Sequence, residues 1–413
     1  MSGRFESRRG RCGPDDADSA PGPASLIPVR SDVNPALPVR SFSCQLPVVS
    51  PTLRIAPDHA RRFVRRALLL DAPAPDVGTA LAHHGFIQID PLNVCGRMHD
   101  LILRQRVAGY REGDLHAHIH SAARPGYEHY LPGPTAILVA YPREAWPYLA
   151  APIRQRRLRR GRFGRKLAAG HEKVAQHILA ELAARGPLTS DDIEHEGRSR
   201  TGWGTPGRLV KNLLEILFIH GRVLMAGRRN FRRVYDLPER VLPTATLAAP
   251  EKTTAETARW LVLLKLRQRR LVTLKRAEVP LVADQTIRVE VSGCPPLFCL
   301  QADEPLFGET SAPPAAALVP LLLAPLDPLI YDRRVTSALW NFDYIWEAYT
   351  PVHKRRRGHY ALPVLAGTEV VGYVDPKADR AAGRLRTVSR SVRRGHRIAP
   401  AVAALAAFLG LGR

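Results

Sequence analysis

The chain has 413 residues, 45% of them apolar, and a net charge of +23 from 61 Lys and Arg against 38 Asp and Glu. That length and apolar content fit two to four folded domains, and the charge points to a polyanionic partner, nucleic acid foremost, although arginine-rich coding alone gives the same charge. No charge-free apolar run of about 20 residues exists, which excludes a membrane-spanning helix, and five Cys without a CxxC or a His-spaced companion give no zinc or disulfide framework and fit a reducing cytoplasm.

Residues 1–52 carry eight Pro, six Arg and five acids. They read as a disordered, proline-rich leader or an over-called start, and resemble neither a signal peptide nor a transit peptide. The net charge of this stretch is only +1, so the basicity belongs to the body that follows. Folding is expected from Leu53. "HARRFVRRALLL" (59–70) has helical apolar spacing, and "VGTALAHHG" (77–85) reads as a short helix capped by Gly85. Then comes "GFIQIDPLNV" (85–94), followed by the apolar, aromatic "TAILVAYPREAWPYL" (135–149).

"RQRRLRRGRFGRK" (154–166) holds seven Arg and one Lys with no acid. Such a run repels itself unless a polyanion relieves it, so Arg154, Arg157 and Arg160 are candidate phosphate contacts, with a solvated helix face as the alternative. Residues 171–245 predict a winged helix. It comprises one helix over 171–186, a second beginning in "PLTSDDIEHE" with Thr189 and Asp192 at capping-box spacing, and a third over 204–221. A basic hairpin, "RVLMAG…FRRVYDL", completes it. Arg208 and Lys211 on the third helix, and Arg228, Arg229 and Arg232 on the wing, are its candidate DNA contacts; packing alone is the alternative role. Residues 246–310, with a helix over 255–270 and the strand "TIRVEV", predict an abbreviated third winged-helix-like domain. Strand-like runs within residues 311–413 suggest a small barrel or sheet with a closing helix, and Asp327 to Leu329 and Asp332 to Arg334 are read as bracing it against the rest. Trp340, Phe342, Tyr344 and Trp346 alternate at strand spacing and are assigned to the core. These segments read as mainly α with small β.

Within "GFIQIDPLNV", Gln88 and Asp90 stand two residues apart, the strand period, so both side chains leave an extended backbone on one side. A buried acid needs a partner or a task. Two readings are open: Gln88 bonds a neighbouring backbone and Asp90 caps the "DPLN" turn, or the pair holds and deprotonates a water. His83, His84 and His99 flank the motif and are read as packed or solvated, with a substrate contact by His99 as the sharper option.

These segments, together with "LLEILFIHGRVLMAGRRNFRRVYDLPERVLP" (213–243) and the run from "LAPLDPLIYDRR" through "LWNFDYIWEAYTPVHKRRRGHYALPVLAG" to "VGYVDPKADRAAGRL" (323–385), resemble the YcaQ/AlkZ-like winged-helix DNA glycosylases from about residue 53 onward. The resemblance implies a fold that is mainly α with small β, with tandem winged-helix (helix-turn-helix) domains, the first a winged-helix-like domain over 53–170, and a C-terminal small β-barrel; it also implies a Gln-x-Asp signature falling on Gln88 and Asp90. It implies a monofunctional glycosylase needing no cofactor and no metal, acting as a monomer in the cytoplasm on double-stranded DNA with alkylated or crosslinked bases. A non-catalytic winged-helix DNA binder is the competing class; such a protein does not require Gln88 and Asp90 to share a water-accessible pocket.

Overall fold

Helix α1 (Pro57–Ala67) follows strand β1 (Thr52–Ile55) and starts where proline costs nothing, at the first helical position. Asp58 lies in its first turn, and Arg65 and Arg66 lie in its last, which suits the helix dipole. Ala60, Phe63, Val64 and Ala67 form its buried stripe, and Phe63 stacks on Phe307 at 3.9 Å. In α2 (Val77–His84) the Asp76 carboxylate accepts from Thr79 N at 2.8 Å, and Gly85 ends the helix in the left-handed region (φ 77°), as its sequence position predicts. A Cβ on Gly85 would also meet Leu264 Cδ1 at 2.5 Å.

The computed structural model describes residues 51–412 apart from 134–136, 159–166, 169, 201–205, 231 and 309–318. All described residues belong to one unit, Pro47–Arg413. Residues 1–50 of the predicted leader and Arg160 lie outside the described residues; Thr52, assigned to the leader, opens β1 instead. Strand β2 (Ile87–Gln88), helices α3 (Met98–Leu103) and α4 (Asp114–Ile119), and strands β3 (Gly126–Tyr130) and β4 (Leu138–Pro142) make the next layer. Its sheet has the order β2-β4-β3, antiparallel throughout, and α5 (Trp146–Gln155) packs behind it.

Helix α6 (His171–Arg185) leads to the first departure from expectation. No helix forms over 187–196. Thr189 and Asp192 make only half of the box: the Asp192 carboxylate accepts from Thr189 N (2.7 Å) and Oγ1 (2.9 Å), while Thr189 Oγ1 accepts from Asp191 N (3.3 Å), closing a turn. Ile193 is the only buried large apolar side chain from Ser190 to Glu196, so no stripe exists to hold a helix down. A ribbon of β5 (Arg198–Arg200) and β6 (Pro206–Arg208) runs instead into α7 (Leu209–Ile219). Val210, Leu213, Leu214, Leu217 and Phe218 of α7 are fully buried, each worth about 1.5–3 kcal/mol relative to exposure. The hairpin of β7 (Leu224–Arg229) and β8 (Arg232–Asp236) forms as predicted.

Single-turn helices α8 (Pro238–Val241) and α9 (Thr244–Leu247) precede the long α10 (Thr254–Arg269), which Thr253 and Glu256 open with a reciprocal capping box. The one-turn α11 (Val279–Val282), strands β9 (Thr286–Val291) and β10 (Leu297–Leu300) and the short α12 (Pro305–Gly308) follow. Strand β1 joins this region from the far end of the unit, pairing in parallel with β9 (Thr52 opposite Arg288). Strand β11 (Leu321–Leu322), helix α13 (Arg333–Trp340), strands β12 (Leu362–Ala366), β13 (Glu369–Asp379) and β14 (Arg384–Val392), and helix α14 (Ala399–Phe408) complete the chain.

The expected β-barrel is not closed. Its strands form an open antiparallel sheet, β11-β12-β13-β14, because four strands with a two-residue edge are too few to meet around a cylinder. Helix α14 covers one face through Ala401, Leu405 and Ala406. The ladder shifts at Asp375/Pro376, where proline has no N–H to give. Trp340, Phe342, Tyr344 and Trp346 do pack in the core but not on a strand: Trp340 ends α13 and the others lie on irregular backbone. Among the described residues no helix is long and apolar enough to cross a membrane.

Candidate active site

Gln88 is hydrogen-bonded into the sheet opposite Val139, and Ile89 N donates to Leu138 O at 2.8 Å, which keeps the chain extended up to Asp90. Ile87 and Ile89 point into one apolar cluster with Leu81, Leu103 and Ala140. The strand period then sends Gln88 and Asp90 to the opposite side together. Gln88 is 8% exposed, and its amide bonds no group among the described residues. Asp90 is half-buried; its Oδ1 accepts from Leu92 N at 2.9 Å. Both readings of Asp90 are thus compatible with the geometry: one oxygen closes the "DPLN" turn, and Oδ2 bonds nothing among the described residues. Burial pushes the Asp90 carboxyl above the usual carboxylate range, against the pull of the Leu92 N–H.

The wall beside Asp90 comes from the segment between α13 and β12. Trp346 packs into the same apolar cluster as Leu92, Val94 and Tyr360. Its ring meets Tyr349 at 5.6 Å and Tyr360 at 6.0 Å, both edge-on. The phenols of Tyr349 and Tyr360 are both raised, by burial first and with the Asp90 charge contributing. Neither tyrosine was singled out by sequence reasoning. The only local signal was aromatic residues interleaved with cations in "WEAYTPVHKRRRG".

A second polar cluster lies at β3 and α4. Glu128 is fully buried and takes both ends of the Arg228 guanidinium, Nη2 to Oε2 at 2.7 Å and Nη1 to Oε1. His120 Nε2 and His116 Nδ1 lie 3.0 and 3.4 Å from Glu128 Oε1. Burial works to raise the Glu128 pKa, yet hydrogen bonds from Arg228, His116 and His120 hold it well below its usual range. Two His one turn apart plus a carboxylate are donor types that suit a divalent cation. Arg228 already claims both carboxylate oxygens, however, and a metal would have to displace a like charge. His84 and His99 are buried and, burial being the first cause, held neutral. Asp100, fully buried, accepts from Tyr110 Oη at 2.7 Å and Gly113 N at 3.1 Å, a structural role that keeps it from the reacting face.

The candidate DNA contacts divide sharply. Arg154 pairs with Glu251, Arg208 with Asp191, Arg229 with Asp192 and Arg232 with Asp191, all at the surface. Arg228 is spent on Glu128. Arg157 and Lys211 are exposed and pair with no carboxylate among the described residues. Burial lowers the Arg157 pKa first, and the neighbouring cations Arg222 and Arg154 lower it further, so an anion is the partner this spot lacks.

A family model described as "DNA glycosylase AlkZ-like" matches residues 81–410, a span that includes Gln88, Asp90 and both clusters. Among solved structures, the Streptomyces sahachiroi DNA glycosylase AlkZ is similar in fold, with a TM-score of 0.52. The similarity covers 87% of this chain and 97% of that one at 14% sequence identity.

Proposed function

Since the chain belongs to the AlkZ-like DNA glycosylase family, we propose that it hydrolyses the N-glycosidic bond of cationic N7- and N3-alkylated purines in duplex DNA, N7-guanine interstrand crosslinks included. What carries this reading is the pair Gln88 and Asp90, two residues apart on backbone held extended by β4, a spacing that turns both from the side of Ile87 and Ile89. An N7-alkylated guanine already bears positive charge, so cleavage of C1′–N9 delivers the bonding electrons to the base and leaves it neutral. The sugar passes through an oxocarbenium-like state, by analogy with other glycosides. Asp90 stabilises that cation and takes a proton from the water that attacks C1′, while the Gln88 amide holds the same water by accepting and donating. The products are the free alkylated base and an abasic site. A lysine nucleophile and a metal are not called for by this chemistry.

DNA is gripped, in this reading, by tandem winged helices. Helices α6 and α7 with the β7–β8 hairpin make one of them, its middle helix replaced by the Thr189–Asp192 turn and the β5–β6 ribbon. The exposed cations Arg157 and Lys211 supply phosphate contacts. The test is incubation with a duplex carrying one N7-methylguanine, followed by alkaline cleavage. Strand scission at the lesion is expected; binding without scission would instead favour a non-catalytic DNA binder.

A further inference from the structure

The segment from Asn341 to Ala361 is pinned from beneath. The Glu347 carboxylate accepts from the backbone N–H groups of Arg356 (2.9 Å), Arg357 (2.7 Å) and Gly358 (3.2 Å), closing the loop on itself. Tyr344 Oη donates to Ala361 O at 2.6 Å, and Trp346 and Tyr360 sink into the core. On that rigid base the crest is apolar and bare: Ile345 is 65%, Tyr349 77% and Val352 77% exposed. These are three of the six large apolar side chains that stand exposed among the described residues, gathered within eight positions. Scattered singly they would need no explanation; a concentrated patch marks a binding surface.

Charge identifies what covers it. No carboxylate occurs from Ala348 to Thr368, while Lys354, Arg355, Arg356 and Arg357 follow the crest directly. The side chains of Lys354 and Arg356 are exposed and bond no group among the described residues. A protein partner offers no reason for such a one-sided cationic flank, whereas a nucleic acid supplies both an apolar base stack and phosphates. Trp346, which carries Tyr349 on its ring edge, packs on the same apolar cluster as Leu92, just past Asp90, and the Asp90 charge acts on Tyr349, so the crest adjoins the candidate active site.

We propose that this loop opens the duplex: Tyr349 wedges into the base stack beside the lesion, and Lys354 and Arg356 hold the flanking phosphates while the damaged nucleotide turns out toward Gln88 and Asp90. The proposal rests on the glycosylase reading above. It follows the general requirement that chemistry on a base within a duplex needs that base out of the stack.

The test uses the full chain and a duplex with 2-aminopurine next to a single N7-methylguanine, read by fluorescence at once on mixing. The wild-type chain is expected to raise the 2-aminopurine signal, which reports unstacking. Tyr349→Ala, at an exposed position, is expected to lose that rise with binding weakened by no more than about ten-fold, and Tyr349→Phe to keep it. Lys354→Ala with Arg356→Ala is expected to reduce the slope of log K against log salt by about 1.8. A full rise with Tyr349→Ala, or no rise with the wild-type chain, overturns the proposal. Scission without a rise sinks the wedge and spares the enzyme; a Tyr349-dependent rise without scission does the reverse.

Discussion

Arg106 and Asp327, both without exposed surface, face each other through two parallel hydrogen bonds, Nη2 to Oδ1 at 2.7 Å and Nη1 to Oδ2 at 3.0 Å. The pair ties the segment after α3 to the turn before α13, so the residues around Asp90 and the loop that walls them share one anchor. Asp327 also accepts from Leu329 N at 3.0 Å. The bracing role expected for the Asp327 segment is therefore met by an ion pair. Asp327→Asn leaves Arg106 charged, buried and short of its partner, and is expected to cost about 3–5 kcal/mol. Urea unfolding checks this; a loss under ~1 kcal/mol would mean that water reaches Arg106.

Asp90→Asn is expected to keep the fold and DNA affinity and to slow excision roughly 10²–10⁴-fold. Gln88→Ala should do less damage, because a second water can replace the amide. The wild-type rate should fall as pH drops, since the base must be ionised, and burial places the midpoint above the usual carboxylate value. Single-turnover rates across the acid range decide it, and unchanged excision by Asp90→Asn removes the carboxylate from the mechanism.

The cations should separate by role. Arg157→Ala and Lys211→Ala are each expected to reduce the slope of log K against log salt by about 0.9, with stability unaffected. Arg228→Ala should instead destabilise the fold, because Glu128 is left buried with its charge uncompensated. Titrations at several salt concentrations, paired with denaturation curves, test the division; an intact fold with a reduced slope for Arg228→Ala would put the wing on DNA.

Lesion choice follows from charge. Release of a neutral base needs an acid to protonate it, and the next carboxylate along the chain, Asp100, is locked under Tyr110 and Gly113. Excision of N7-methylguanine and 3-methyladenine, with little of uracil or hypoxanthine, is the expected outcome on matched duplexes. Efficient uracil release would contradict the cationic-leaving-group argument.

Buried neutral histidines set an acid limit on stability. The folded-state pKa values of His84 and His99 lie well below those of the unfolded chain. Below about pH 6.5 the unfolded chain therefore binds protons that the folded one refuses, and stability falls as pH drops. Thermal midpoints between about pH 7.5 and 5.5 measure this, and a flat profile would mean that both rings protonate in place.

Local chemistry was legible in the sequence wherever a short stretch decided the outcome. The Gly85 cap, the stripes of α1 and α7, the wing hairpin and the extended Gln-x-Asp segment depend on neighbours within a few residues, and periodicity reports those. The start of α10 was read nearly in place, although its Thr253–Glu256 box was not singled out. The Thr189–Asp192 spacing misled because the same two side chains serve a turn as readily as a helix, and only the absence of a buried stripe around Ile193 decides between them. Tertiary structure alone settled everything that depends on distant partners. It left the last sheet open, paired β1 with β9, spent Arg228 on Glu128, and stood Tyr349 beside Asp90 across some 260 residues of chain. No window of sequence contains both members of such a pair, so charge and burial there are properties of the fold and not of the segment.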